Sequence, residues 1–191
     1  MTAPTIPDRE LVERTIAGDR DAFGDLVRRF QDPLYRYGRT LGLDHDTALD
    51  LVQDACVKAF ERLAQCHDPE RVRAWFFRIF RNTVLDWAKN IRRTEIRLLE
   101  VDEPPDLYDL AEQQALRATL GVALASLPSI LREAFLLHHH LGHSHEEIAE
   151  TAGVTVSAVK MRVMRARDLL RRRLEPELDE VTRGASRSSQ G

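Results

Sequence analysis

Apolar residues recur at intervals of three and four along almost the whole chain, which is the spacing of one face of an α-helix. The clearest stripe runs from Ala48 to Leu63 and predicts an amphipathic helix over 46–64. No segment alternates apolar and polar residues in the way that a half-buried strand does. The pattern therefore predicts an all-α protein.

Capping and breaking residues divide the rest of the chain into further helices. Asp19 and the pair Asp68–Pro69 are residue types that begin helices. Pro33 is expected to kink or interrupt the helix that follows Asp19, because proline lacks the N–H donor. One of the helices predicted in this way begins at Asp19. The others cover 8–17, 69–93, 112–126 and 128–141.

Residues 144–174 have the pattern of a helix-turn-helix. Ser144 and Glu147 form a capping-box sequence, and Gly153 supplies a left-handed residue that ends the first helix. Thr155 caps a second helix with one apolar face and one basic face. An ordinary helical hairpin with a solvated basic face is the alternative. The outer face is predicted to contact DNA bases and phosphates through Ser157, Lys160, Met161, Arg162, Met164 and Arg165.

The formal net charge of the 191 residues is −3, which neither indicates nor excludes a nucleic-acid partner. The distribution of charge is more informative. Residues 160–173 hold seven basic side chains against one acid, and residues 70–93 hold seven against two. Residues 94–113 hold seven acids against one arginine. Two basic blocks around an acidic connector predict two nucleic-acid contacts that are held apart.

The domain organisation follows from these segments. Two small helical domains are predicted, joined by an acidic linker in which Glu103-Pro-Pro-Asp106 breaks the helical pattern. The carboxy-terminal domain contains the helix-turn-helix. The predicted ranges are 8–93 for the first domain, 94–111 for the linker, 112–176 for the second domain and 177–191 for a disordered tail.

Several other classes of protein are disfavoured. No apolar run approaches the roughly 20 residues of a membrane span, and the amino terminus lacks the profile of a signal peptide. A cytoplasmic protein is expected. Cys56 and Cys66 are too few for a disulfide framework or a zinc ribbon. An enzyme is not indicated, because no nucleophile–base set and no phosphate-binding glycine loop is found.

Five histidines lie between His138 and His145, and imidazole is a common ligand of zinc, copper and nickel. Gly142 is expected to end the preceding helix, so these histidines need not share a face. A His-Glu-x-x-His motif is missing too, because Ala149 stands four residues after His145. Neither a metal nor a cofactor is predicted, with a metal-sensing cluster as the alternative.

Three blocks taken together resemble the extracytoplasmic-function (ECF) group of RNA polymerase sigma factors. The blocks are Asp50–Phe60, Trp75–Thr83 and Leu127–Leu174, and the resemblance covers about 19–93 and 112–174. It implies a protein that binds core RNA polymerase, directs it to promoter DNA and helps to open that DNA, without bond-making chemistry of its own. In this group an anti-sigma factor is a common further partner.

The resemblance also assigns a role to the outer face of the 46–64 helix. This face lies opposite the apolar stripe and is similar to the surface that docks on core polymerase in the family. An ordinary solvated face is the alternative reading. The residues expected to bind core polymerase are Asp50, Gln53, Asp54 and Lys58.

The 70–93 block interleaves arginines with aromatic rings, a pattern typical of surfaces that bind single-stranded DNA. The alternative, that the rings are core residues, is favoured for Phe76 and Trp87. The loop before this block resembles the family's pocket for a flipped minus-ten base, although Cys66 stands where an aromatic residue is usual. The residues expected to contact and melt minus-ten DNA are Gln65, Cys66, His67, Arg71, Arg73, Arg78, Arg81 and Asn82.

By the same resemblance, the helix-turn-helix reads the minus-thirty-five element and the acidic linker threads the polymerase channel. Two rival functions are kept. A dimeric regulator with a ligand-sensing amino-terminal half would bind DNA tightly without polymerase. An anti-sigma or adaptor protein would bind only protein, and it has no need of basic blocks at both ends.

Overall fold

The fold was examined in a computed structural model, in which residues 6–92 and 114–188 are described, with side chains over 6–90 and 119–175. Two short 3-10 turns, Leu63–Gln65 and Pro69–Arg71, connect the third and fourth α-helices. The prediction of an all-α fold is confirmed, and the predicted linker 94–111 lies outside the described residues. The α-helices of the described ranges are α1 (Asp8–Ile16), α2 (Arg20–Thr40), α3 (His45–Arg62), α4 (Val72–Arg92), α5 (Gln114–Ala125), α6 (Ser129–His139), α7 (His145–Ala152) and α8 (Val156–Ser188).

The helix-turn-helix of α7 and α8 forms as its local sequence predicts. The Glu147 backbone N–H donates to Ser144 Oγ at 3.1 Å, and the Ser144 N–H donates to Glu147 Oε2 at 2.7 Å. Gly153 ends α7 with φ of 67°, a conformation that glycine adopts without steric cost. Thr155 Oγ1 then accepts the Ala158 N–H at 3.2 Å. The capping box, the turn and the second cap are all confirmed.

The helix boundaries differ from the prediction in three places. Asp44 caps α3, so this helix begins at His45. Helix α2 passes through Pro33 without interruption, because the buried side chains Phe30 and Leu34 hold both sides of the proline against the core. Helix α8 passes Pro176 and continues to Ser188, where a disordered tail was predicted from residue 177 onward. Glu177, Leu178 and Glu180, which follow Pro176, are strong helix formers and support the start of this continuation.

A shared hydrophobic core joins the two predicted domains. The larger buried cluster takes residues from α1 to α4 and also includes Leu137, Leu141, Ile148 and Val159 of the carboxy-terminal half. A smaller cluster lies within that half, between α5, α6 and α8. The sequence predicted modules held apart by the acidic segment, but in the structure they pack directly against each other. Helix α6 makes this possible because it is apolar on two faces.

Helices α4 and α7 make the most extensive contact between the halves. Among the described residues, no helix combines the length and the apolar character needed to cross a membrane.

Candidate nucleic-acid and polymerase interfaces

Helix α8 separates an apolar face from a basic face as the sequence predicts. Its inner residues Val159, Val163 and Ala166 are at most 4 % exposed. Arg162 is half-buried at the edge of the outer face. The other predicted DNA contacts are exposed on that face, namely Ser157, Lys160, Met161, Met164 and Arg165.

Two methionines lie among the cations of this face. Met161 is 48 % exposed and Met164 is 57 % exposed. Neither side chain is covered by another part of the described chain to any large extent. Apolar side chains beside Lys160 and Arg165 suit a DNA groove, in which thymine methyl groups offer apolar contacts and base edges offer hydrogen bonds.

Three of the four residues predicted to bind polymerase are exposed on the outer face of α3. Asp50, Gln53 and Asp54 are exposed. Lys58 is half-buried instead, and its Nζ donates to Thr83 Oγ1 of α4 at 3.2 Å. Lys58 therefore joins two helices of the amino-terminal half in this structure.

The same helix exposes apolar side chains that the sequence analysis missed. Leu49, Val57 and Phe60 are 40 %, 58 % and 47 % exposed. All three stand outside the buried stripe of α3, which is the signal by which they could have been found. An exposed apolar patch among polar residues is typical of a protein-binding surface.

Three arginines of α4, Arg73, Arg78 and Arg81, face the carboxy-terminal half. Arg81 Nε lies 2.8 Å from Glu133 Oε1, and the Tyr37 hydroxyl donates to the same oxygen at 2.5 Å. Arg73 Nη2 donates to the Leu141 carbonyl at 2.8 Å. Burial and the Glu133 carboxylate raise the pKa of Tyr37, so its hydroxyl stays a donor. Two residues predicted to meet melted DNA are thus engaged within the chain.

A second carboxylate extends this contact. Glu150 of α7 lies 3.6 Å from a guanidinium nitrogen of Arg71 and 3.6 Å from one of Arg78. Nearby, the Thr151 hydroxyl donates to the Ala74 carbonyl at 3.5 Å. Arg71 and Arg78 keep 59 % and 43 % of their side chains exposed, so they remain partly accessible. Asn82 is exposed.

The aromatic rings interleaved with these arginines belong to the core. Trp75, Phe76, Phe77 and Phe80 are at most 6 % exposed, and only Trp87 is half-buried. The core reading of Phe76 is confirmed and extends to its neighbours. In this arrangement these rings are not available to DNA, whereas Arg71 and Arg78, two of the four predicted arginines, are partly accessible.

His143 is buried between the halves, with its ring centroid 4.2 Å from that of Phe77. Burial, and then the Arg73 charge, lower the pKa of His143 to about 4. Both of its ring nitrogens are buried without a hydrogen-bond partner. The imidazole is therefore neutral near pH 7 and packs edge-on against Phe77 within the contact.

The predicted base-binding residues in the loop before α4 differ in their exposure to solvent. Gln65 and His67 are exposed. Cys66 is 6 % exposed, with Sγ 3.5 Å from the Asp68 carbonyl oxygen, and burial raises the pKa of its thiol. Cys66 therefore packs into the core beneath the turn. A base that reaches this loop would meet Gln65 and His67 instead.

The histidines near the helix-turn-helix lie close together without forming a metal centre. Across the described ranges, no group of three or more His, Cys, Asp or Glu side chains is placed to hold a metal ion. His138 and His145 instead stack their rings with centroids 4.3 Å apart.

Comparisons with known families match both halves of the chain. Residues 26–94 match Sigma-70 region 2, and residues 117–170 match Sigma-70 region 4. The first range contains α3 and α4, and the second contains the helix-turn-helix.

Curated relatives extend these matches over most of the chain. The ECF RNA polymerase sigma factor SigE of Mycolicibacterium smegmatis is 32 % identical over 177 residues, which are 88 % of this chain and 68 % of SigE. The RNA polymerase sigma factor NccH of Alcaligenes xylosoxydans is 32 % identical, with 87 % of this chain and 94 % of NccH covered. The "Probable RNA polymerase sigma factor RfaY" of Xanthomonas campestris is 30 % identical over 89 % of this chain, but the match spans only 44 % of RfaY.

Solved structures show the same relationship. CnrH in complex with the cytosolic domain of CnrY superposes with a TM-score of 0.67 at 30 % identity, covering 90 % of this chain and 99 % of CnrH. RpoE in complex with the anti-sigma factor NepR from Bartonella quintana gives 0.65 at 27 % identity, covering 80 % and 96 %. With both Sigma-70 regions present in order, the chain belongs to the ECF group of RNA polymerase sigma factors, the non-catalytic proteins that direct promoter-specific initiation of transcription.

Proposed function

We propose that this sigma factor uses three separate surfaces, one for core polymerase and two for promoter DNA. Domain 8–93 docks on polymerase through the outer face of α3 and acts on minus-ten DNA through the arginines of α4. Domain 112–176 reads the minus-thirty-five element through α8. The protein works in the cytoplasm, where core polymerase and promoters are found.

The observation that carries this proposal is the outer face of α8. Five of its six predicted DNA contacts are exposed together, while the opposite side of the helix is buried. A recognition helix needs this division, because it must be anchored on one side and open to the major groove on the other.

Run-off transcription with purified core polymerase on a panel of promoters tests the function as a whole. The chain should start transcription on a subset of templates, and it should bind promoter DNA weakly until core polymerase is added. Tight binding to duplex DNA by the chain alone, without association with core polymerase, would favour the dimeric regulator instead.

Replacing Arg165 by Ala should weaken use of the minus-thirty-five element. A bidentate arginine–guanine contact contributes about 1–3 kcal/mol of discrimination, so promoter binding by holoenzyme should fall by roughly tenfold to a hundredfold. Arg28→Ala removes an exposed arginine of α2 that pairs with Asp25 and is the matched control. Footprints of equal strength for both variants would remove Arg165 from the interface.

Reversing a charge on α3 should weaken polymerase binding. Asp54 is exposed on the proposed docking face, and a like charge introduced into a complementary interface costs several kcal/mol. Asp54→Arg should therefore reduce affinity for core polymerase at least tenfold in a competition assay. Glu10→Arg makes the same charge change at an exposed position of α1. Unchanged affinity of the Asp54 variant would show that core polymerase docks elsewhere.

The packing of the two halves has a consequence for this function. Glu133 pairs with Arg81, and Glu150 lies beside Arg78. The proposal assigns both arginines to melted DNA, whereas the outer face of α8 remains exposed. Promoter opening then requires the halves to separate, while minus-thirty-five recognition does not. The arrangement described here is a closed form that can bind upstream DNA before it can melt the promoter.

We also propose an anti-sigma factor as a partner. One solved relative, RpoE, is in complex with the anti-sigma factor NepR, and another, CnrH, is in complex with the cytosolic domain of CnrY. Co-purification of the tagged chain from its native cells would identify such a partner, and its addition should inhibit run-off transcription.

A further inference from the structure

Three histidines at the junction of α6 and α7 form a compact patch that the proposed function does not use. The rings of His138 and His145 stack with centroids 4.3 Å apart, and those of His138 and His139 lie 4.8 Å apart. His139 is exposed, and the other two are half-buried. Their imidazoles therefore form one cluster that is accessible to solvent.

Cations of the DNA-reading helix border this histidine cluster. Burial, His138 and then Arg167 lower the pKa of His139. Burial, His138 and then Lys160 lower the pKa of His145, while Glu146 acts in the opposite direction. The groups facing the cluster from α6, α7 and α8 are thus mainly imidazoles and cations, with Glu146 as the opposing carboxylate. Such surroundings favour an anion.

The hydrogen bonding of His138 fixes which of its ring nitrogens carries the hydrogen. Its Nδ1 lies 2.9 Å from the His143 carbonyl oxygen. A carbonyl oxygen only accepts, so Nδ1 is the donor and Nε2 carries the lone pair. This bond holds the His138 ring in place beside His139 and His145.

We propose that His138, His139 and His145, with Lys160 and Arg167, bind a phosphate of the promoter backbone beside the minus-thirty-five element. This inference rests on the proposed role of α8 in reading that element. A bound phosphate offsets the repulsion among these groups and favours their charged forms. DNA binding then takes up protons, so affinity rises as the pH falls.

Fluorescence anisotropy of the full chain with a labelled duplex carrying the minus-thirty-five element, at constant low salt, tests this proposal between pH 7.5 and 5.5. If one imidazole gains one pKa unit on binding, affinity for the duplex should rise severalfold over this range, with about tenfold as the upper limit. His139→Gln combined with His145→Gln should remove most of the rise. His45→Gln changes an exposed histidine at the start of α3 and should keep the wild-type pH dependence.

A histidine NMR titration of the wild-type chain gives a second readout that needs no variant. The lowered pKa values of His139 and His145 must increase when the duplex is added. Equal pH dependence in the wild type and the double variant would overturn the proposal, as would a pH dependence that EDTA abolishes, since that result assigns the cluster to a metal. If neither the chain nor its holoenzyme with core polymerase binds the duplex at any pH, the proposed role of α8 fails, and the phosphate site with it.

Discussion

Replacing Glu133 by Ala is expected to separate the two halves of the chain. The Glu133 side chain is 8 % exposed and accepts hydrogen bonds from the Tyr37 hydroxyl at 2.5 Å and from Arg81 Nε at 2.8 Å. Without it, a buried hydroxyl and a largely buried guanidinium lose their common acceptor. Removing one partner of a buried ion pair costs about 3–5 kcal/mol, which is enough to break a contact between two small domains.

Small-angle X-ray scattering with circular dichroism measures this effect. The Glu133→Ala variant should show a larger radius of gyration at unchanged helicity, because Glu133 faces the other half and leaves the folds of both halves intact. Tyr37→Phe is the matched control, since it removes one hydrogen bond and keeps the Arg81 pair, at a cost of about 1 kcal/mol. Should Glu133→Ala keep the compact dimensions of the wild type, the apolar core alone would be holding the halves together.

The helix-turn-helix could be predicted in detail from the sequence because its determinants are local. Ser144 and Glu147 are three residues apart, and Gly153 and Thr155 follow six and eight residues after Glu147. Each cap depends on side chains and backbone groups that are already neighbours. The exposed face of α8 follows from the same local periodicity.

The packing of the halves could not be predicted in this way. Glu133 meets Arg81 across 52 residues and Tyr37 across 96 residues, and no spacing rule connects such partners. The arginines of α4 form a basic block when counted along the sequence. Distant carboxylates balance part of that charge. The basic block in the sequence therefore does not form a surface that is entirely free to bind DNA. Lys58 differs for the same reason, because it turns towards Thr83 of α4. Cys66 differs because it is buried in a core to which distant helices contribute.

The closed arrangement also imposes an order on promoter binding. A carboxylate paired with an arginine competes with a DNA phosphate for the same guanidinium. The α8 residues that we propose for upstream DNA, Ser157 to Arg165, have no such carboxylate partner among the described residues. In the proposed function, the interface between the halves therefore acts on promoter opening and leaves the first encounter with DNA unhindered.

Reversing the charge of Glu150 is expected to speed promoter opening. In Glu150→Arg, three cations would meet where Glu150 now lies 3.6 Å from Arg71 and 3.6 Å from Arg78. Both arginines are partly exposed, so solvent screens much of this repulsion. If about 1.4 kcal/mol remains, the open form gains about tenfold in population. Stopped-flow fluorescence of a promoter labelled in its minus-ten element should then show about tenfold faster opening by holoenzyme.

A double charge exchange distinguishes two effects, which are the separation of the two halves and the proposed binding of Arg78 to melted DNA. Arg78→Glu combined with Glu150→Arg places opposite charges at the same two positions, so scattering should again show compact dimensions. Opening should nevertheless be slower than in the wild type, because the guanidinium assigned to melted DNA is gone from α4. If the double variant opens promoters at the wild-type rate, Arg78 serves only to join the halves. If Glu150→Arg alone leaves the rate unchanged, separation of the halves does not limit opening. Binding to core polymerase would then already have separated them before DNA is engaged.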